Sequence, residues 1–363
     1  MTEADYYLGF SLSPSIGPKR FQTLRAHFKT AENAWTGTQS EFHALGIGQN
    51  TWEKFESFRN VFDFNNHSSI RAMQEKSIQF ISQSDSLYPT SLLALDDPPI
   101  GLYVLGEMSA LLSEKSVAVV GSRTVSEYGA DVTKYLVSGL ASRGITIISG
   151  LALGVDAIAH SATLTKHGTT IAVLGNGVDI AYPRENSLLY KNILHSKGCI
   201  ISEYPPGMMP TKGSFPARNR IVAALSHAVL VTEARANSGA LITAEIGRKL
   251  NKIIFAVPGP INMQQSVGAL ALLKSGAQIA TAPEDILATF ADVAHVVLDR
   301  SVNLSGLSGD SLRVMEVLIQ DATTMDVLSK KCTMPIPQLS QILTILELEG
   351  YVKKNDSGKY VAV

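Results

Sequence analysis

The stretch VAVVGSRTVSEYGADVTKYLVSGLASRGITIISG, residues 117–150, decides the fold. It opens on VAVV, apolar at every position, as a strand is when helices cover both faces of a parallel sheet. The turn Gly121-Ser122-Arg123-Thr124 follows. Ser126 then reads as a helix N-cap, with Gly129 at the third helical position. Val132, Leu136, Gly139 and Leu140 share one face of the helix it starts. A second apolar run, TIIS, ends at Gly150. Strand, helix and strand make one βαβ unit, the element from which parallel sheets are built.

Outward from this unit the pattern repeats. IQFIS, TIAVLG, CIISE, AVLVTEA, KIIFAVPG and AQIAT are further strand runs separated by amphipathic segments. The predicted fold class is therefore α/β: a Rossmann-like, doubly wound, mostly parallel sheet over residues 76–292. Residues 1–75 read as a small helical domain. There IGPKRFQTLRAHF and LGIGQNTWEKFESF each pass from a glycine turn into apolar residues at helical spacing, with Phe21, Leu24, Arg25 and Phe28 on one face and Trp52, Phe55 and Phe58 on the other helix's face. The pair resembles helix-hairpin-helix (SAM-like) units, whose turns can approach a DNA backbone; a plain packing domain is the competing reading. Residues 293–309 read as a linker ending in a Ser/Gly-rich piece. Residues 310–363 read as a winged helix: helices over 312–320, 324–331 and 335–349, then a hairpin about an Asp-Ser-Gly turn. Ile336, Leu339, Ile342, Leu343 and Leu346 are placed on one face of the third helix. That helix has no Lys or Arg and carries Glu347 and Glu349, which argues against duplex reading and for a structural or partner-binding role.

Composition narrows the function classes. In 363 residues, 31 Lys+Arg against 32 Asp+Glu leave no global basic field, so any attraction for a polyanion has to be local. Two cysteines, Cys199 and Cys332, offer neither a disulfide scaffold nor zinc spacing and suit a reducing cytoplasm. The opening MTEADYYLGF lacks the basic region of a signal peptide, and no apolar run is long enough to span a membrane. A cytoplasmic protein is expected.

In a doubly wound sheet, ligands bind beyond the carboxyl ends of the strands. The turns there are rich in small residues: Gly121-Ser122-Arg123, Ser149-Gly150, Gly175-Asn176-Gly177 and Asn237-Ser238-Gly239. Small residues let an anion approach backbone N–H groups at helix starts. Arg123 stands where a phosphate-gripping cation belongs. There is no G-x-G-x-x-G fingerprint and no Walker A run. No metal site, cofactor or catalytic set is expected: Asp156 and His160, four residues apart on a helix, read as a structural contact. Glu233, at the end of an apolar strand, reads as a salt-bridge partner that orients Arg218 or Arg220, with a base as the competing reading.

The run KGSFPARNR, residues 212–220, places Lys212, Arg218 and Arg220 around Phe215, and no Asp or Glu occurs between Glu203 and Glu233. Cations neutralise phosphates and an aromatic face stacks a base, which a duplex would hide. The pattern points to single-stranded nucleic acid. Pro216 suits a first helical turn, presenting Arg218 and Asn219 towards an anion. The competing reading has Phe215 packed at a domain edge and the arginines paired with distant acids.

GSR with SEYG, SGLALGVDAIAH, TIAVLGNGVDIAYPRENSLLY, ISEYPPG, FPARNRIVAALS, VTEARANSGALITAEIG and FAVPG follow one another in an order that resembles the DNA-processing protein A (DprA, or Smf) family, over about residues 117–277. The resemblance implies a recombination mediator, not an enzyme: a protein that binds and protects single-stranded DNA entering during natural transformation, helps load the RecA recombinase onto it, and acts as a homodimer through the Rossmann-like domain. It implies DNA-binding roles for Arg123, Lys212, Phe215, Arg218 and Asn219, with close contacts from Gly121, Ser122, Ser149, Gly150, Ser238 and Gly239. One departure stands out. Leu270 occupies the place of an Asn common in the family, and no role is carried onto it. The alternative is a nucleotide-binding or nucleotide-hydrolysing Rossmann-like enzyme. Its lysine-decarboxylase-like representatives carry P-G-G-x-G-T-x-x-E, which the nearest run here, NSGALITAE, lacks.

Overall fold

The computed structural model describes residues 1–293, 309–320, 323–348, 351–354 and 359–362. They fall into two compact units, Met1–Phe290 and Ala291–Val363. The predicted linker and the Asp-Ser-Gly turn lie almost wholly outside the described residues. Among the described residues no helix is long and apolar enough to cross a membrane.

The first unit opens with six helices: α1 (Glu3–Leu12), α2 (Pro18–Phe28), α3 (Ala31–Thr36), α4 (Gln39–Ala44), α5 (Gln49–Val61) and α6 (Ser68–Glu75). The predicted glycine turns are real, since Gly17 and Gly48 are the N-cap residues of α2 and α5. The helices enclose an aromatic core in which Phe55 stacks between Phe10 and Phe42, each centroid 5.3 Å away. This region is also tied to the sheet that follows it. The Ser11 and Tyr103 hydroxyls are 2.8 Å apart, and Lys76 donates to Asp179 at 2.7 Å.

The sheet contains β1 (Gln79–Ser82), β2 (Gly101–Gly106), β3 (Ser116–Val120), β4 (Thr146–Ser149), β5 (Thr170–Val173), β6 (Cys199–Ser202), β7 (Ala228–Val231), β8 (Ile253–Ala256) and β9 (Gln278–Ile279). Interleaved with the strands are α7 (Glu127–Ala141), α8 (Val155–Thr165), α9 (Ser187–Leu194), α10 (Ser214–Leu225), α11 (Gly239–Lys249), α12 (Val267–Lys274) and α13 (Pro283–Leu287). The spatial order is β1-β2-β6-β5-β4-β3-β7-β8-β9. Neighbours from β6 to β9 pair in parallel, while β2 runs antiparallel to both β1 and β6. The α/β, mostly parallel prediction holds. The run GLYVLG of β2 is absent from the predicted strands: Pro98 and Pro99 precede it and a glycine stands at each end, so turn signals mask it.

The double-sided apolarity of VAVV has a direct structural counterpart. Val117 and Val119 join Leu136, Val137 and Leu140 of α7 in one core. Ala118 and Val120 face the other way, into a core with Ile221 and Val222 of α10. Complete burial of each such valine or isoleucine stabilises by roughly 1.5–3 kcal/mol. As predicted, Ser126 caps α7, its hydroxyl accepting from Gly129 N at 3.1 Å.

The second unit has α14 (Asp310–Gln320), α15 (Met325–Cys332), α16 (Ile336–Leu348), and the antiparallel pair β10 (Val352–Lys354) and β11 (Tyr360–Ala362). This is the predicted winged helix. Leu339, Leu343 and Leu346 of α16 enter its core with Val314, Leu328 and Val352. Ile336 departs from the predicted face: at the first position of α16 it is 47% exposed.

Candidate nucleic-acid interface

Chain order reverses at β3. From it the chain builds β4, β5 and β6 on one side, then returns to lay β7, β8 and β9 on the other. At such a switch point the loops leaving two adjacent strands part in opposite directions and leave a crevice. A cleft of about 510 Å³ lies there, lined by the turn after β3 and the loop between β7 and α11.

The floor of this cleft is firmly built. Ser122 N donates to Glu233 O at 2.7 Å, joining the two loops, and Val155 N donates to Ser122 O at 3.1 Å. Gly154 has φ +78°, and a Cβ there would stand 2.2 Å from Ser122 O, so only glycine admits α8 this close. The carboxylate of Glu233 accepts from Ser126 N at 2.9 Å and from the Ser126 hydroxyl. It therefore anchors the start of α7 and does not orient an arginine, contrary to the sequence reading.

Asp156 and His160 also differ from expectation, because their hydrogen bonds go elsewhere. Asp156, which lines the cleft, accepts from Gly150 N at 3.1 Å and Ala152 N at 3.3 Å. Burial pushes its carboxyl up, against the opposing pull of Arg218 and those N–H groups. His160 is fully buried with Nδ1 2.7 Å from the Thr170 hydroxyl, which itself donates to Ile147 O. Nδ1 is thus the protonated nitrogen of a neutral ring, and Nε2 has no hydrogen-bond partner among the described residues. Burial, reinforced by the Arg218 charge, lowers the His160 pKa to about 3.

The cations of the 212–220 run meet three fates. Arg220 is paired with Asp97 at 3.0 Å and Glu203 at 2.6 Å, the distant acids of the competing reading. Arg218 is only 4% exposed. Its guanidinium donates to Gly150 O at 2.7 Å, to Val173 O, and to Asn219 Oδ1 at 3.3 Å. It is committed to the ends of β4 and β5 rather than turned outward, which corrects the expectation of a free phosphate ligand. Gly150 is what allows this: a Cβ there would overlap the guanidinium at 2.3 Å. Lys212 alone of the three stays exposed, with no ion-pair partner among the described residues.

Arg123 is exposed and likewise without an acidic partner among the described residues. Its guanidinium sits over the Phe215 ring, 5.5 Å from the centroid. Phe215 is half-buried and stacks on Tyr182, with centroids 5.6 Å apart and planes at 29°. Of the predicted residues, Gly121, Ser122, Arg123, Arg218, Asn219, Ser238 and Gly239 line the cleft. Asn219 Nδ2 donates to Gly239 O at 3.2 Å, and Ser238 caps α11, accepting from Ala240 N at 3.2 Å. Lys212, Phe215, Ser149 and Gly150 do not line it. Ser149 is fully buried and its hydroxyl donates to Val119 O at 2.6 Å, so it has no free group to offer a ligand. Sequence reasoning placed Asn237 in a turn beyond the strand ends but assigned no DNA-binding role to it or to Arg235; both are exposed on the β7–α11 loop and line the same cleft. Their signal was position: they follow an apolar strand directly, as Arg123 does.

Residues 79–291 match the family described as DNA recombination-mediator protein A, and residues 300–356 match the DprA winged helix domain. The chain belongs to the DprA/Smf family. DprA is a family of recombination mediators and not a known enzyme family. Protein Smf of Synechocystis is 38% identical over 313 residues, 85% of this chain and 77% of its own length. The solved DprA of Streptococcus pneumoniae superposes with TM-score 0.67 at 33% identity, over 79% of this chain and 98% of that one. DNA processing protein A of Helicobacter pylori, solved for its unique single-stranded DNA binding mode, gives TM-score 0.54 at 35% identity, over 60% of this chain and 98% of that one. In this DprA family member the sheet and cleft fall within the matched mediator region, and the separate second unit corresponds to the DprA winged helix.

Proposed function

We propose that this protein binds single-stranded DNA along the rim of the switch-point cleft, protects it, and helps load RecA onto it as a homodimeric recombination mediator in natural transformation. One observation carries the DNA reading: Arg123, exposed and free of acidic partners among the described residues, lies over Phe215 at the mouth of a glycine-rich cleft. Cation and ring together suit phosphate and base of an unpaired strand. Arg235 on the cleft lining and Lys212 outside it add free positive charge, while Asn219, Ser238 and Gly239 line the cleft with small polar surface. Arg218 serves this site from beneath, by fixing the strand ends. Family membership supports the mediator role, on which the proposed RecA partner and homodimer rest. The rival enzyme reading gains little from the acids near the cleft, since Glu233 holds Ser126 and Asp156 holds two backbone N–H groups.

Fluorescence anisotropy of labelled oligo-dT across a salt series, with duplex competitor, tests the proposal. Wild type should bind the strand selectively and with salt sensitivity. The double variant Lys212→Ala/Phe215→Ala should lose about 1–3 kcal/mol from stacking, and its salt slope should fall by about 0.7 for the phosphate contact removed. Equal binding by the double variant would overturn the assignment. An added RecA filament-assembly assay on coated single strands reads the loading step.

A further inference from the structure

We propose that Tyr182 is a second base-stacking residue, continuing the single-strand track from the cleft past Arg123 and Phe215; this rests on the single-strand reading above. Tyr182 follows β5 and is 40% exposed, yet its ring is stacked on Phe215 at 5.6 Å. Phe215 is half-buried, and its ring already carries Arg123 at 5.5 Å and Tyr182. The more exposed π surface of the pair therefore belongs to Tyr182. Cleft, Arg123, Phe215 and Tyr182 form a continuous series of contacts.

The hydroxyl of Tyr182 separates it from tyrosines that pack for stability. Tyr88, Tyr103 and Tyr190 are buried, and each hydrogen-bonds through its hydroxyl, to Pro99 O, Ser11 Oγ and Val178 O respectively. Tyr182 has no hydrogen-bond partner among the described residues. Its segment is nevertheless held in place. Asn186 Nδ2 donates to Leu151 O at 2.9 Å and to Ala152 O at 3.2 Å, and Ala152 lines the cleft. A ring ordered before binding gives up little conformational freedom when a base arrives. Two residues on, Arg184 is exposed and unpaired among the described residues, as a cation beside a phosphate backbone would be.

The test measures anisotropy with oligo-dT and with the same strand carrying abasic sites, for wild type, Tyr182→Phe, Tyr182→Leu and Tyr182→Ala, with thermal midpoints alongside. If Tyr182 stacks a base, the Leu and Ala variants weaken oligo-dT binding by about 5-fold to 150-fold, and Tyr182→Phe stays within about twofold of wild type. The abasic strand is then bound equally by all four. An equal loss on both strands, or an oligo-dT loss that vanishes in a Phe215→Leu background, would make the ring a support for its neighbours and overturn the proposal, as would unchanged oligo-dT binding by Tyr182→Leu. In each of those cases wild-type binding leaves the single-strand reading standing. Absence of oligo-dT binding by wild type itself would remove both.

Discussion

The rim and the floor of the switch-point cleft contain the same kinds of residue in opposite conditions. On the rim, Arg123 and Arg235 are exposed and without ion-pair partners among the described residues, as is Lys212 outside the cleft lining. On the floor, Arg218 is enclosed by carbonyls and Asp156 by backbone N–H groups, while Glu233 grips the start of α7. A positive charge in the sequence is therefore not yet a binding charge. Exposure and pairing decide whether it meets a ligand or holds the fold.

The sharpest way to break this contrast is Arg218→Ala. Removing a buried guanidinium leaves the Gly150 and Val173 carbonyls unpaired and Asp156 without its neighbouring positive charge. A cost of about 3–5 kcal/mol is expected, read as a fall in the unfolding midpoint. If the midpoint instead held and only the salt slope of DNA binding dropped, Arg218 would belong with the rim.

The next largest effect concerns acid. His160 is held neutral, with its pKa lowered to about 3 from 6.5. The unfolded chain takes up a proton below 6.5 that the folded one refuses, so this contribution to stability is complete above pH 6.5 and is lost progressively as pH falls towards 3. At pH 5 the loss is about 2 kcal/mol. Thermal melts from pH 7 to pH 4 should show a shallower decline for His160→Gln than for wild type. Parallel declines would mean the folded protein accepts the proton.

The smallest effect on stability is expected at the rim. Arg123→Ala should leave the unfolding midpoint within about 0.5 kcal/mol of wild type and reduce the salt slope of single-strand binding by about 0.7. A large loss of stability would make Arg123 part of the floor and remove the distinction between the two layers.

Most of the fold was legible because a short run that is apolar at every position suits a strand covered on both faces, and β3 divides its side chains between two cores as VAVV suggests. Arg123 and Phe215, far apart in the chain, were each picked out by local chemistry and do meet. The pairing of Arg220 was hidden because Asp97 lies 123 residues away. The burial of Arg218 was readable and overlooked: it precedes Ile221 and Val222 by three and four positions, which places it on the inward face of α10. Tyr182 had no local sign, since its stacking partner Phe215 lies in the first turn of α10, 33 residues further along the chain.

The alternation within β3 has a consequence for how the gene can change. Side chains in a strand switch faces with every residue, so inserting or deleting one codon within residues 116–120 would exchange the contents of the two cores and turn Arg123 away from Phe215. Length variation that lineages tolerate in surface loops is barred from this short segment, and alignments of functional relatives should run through it without a gap.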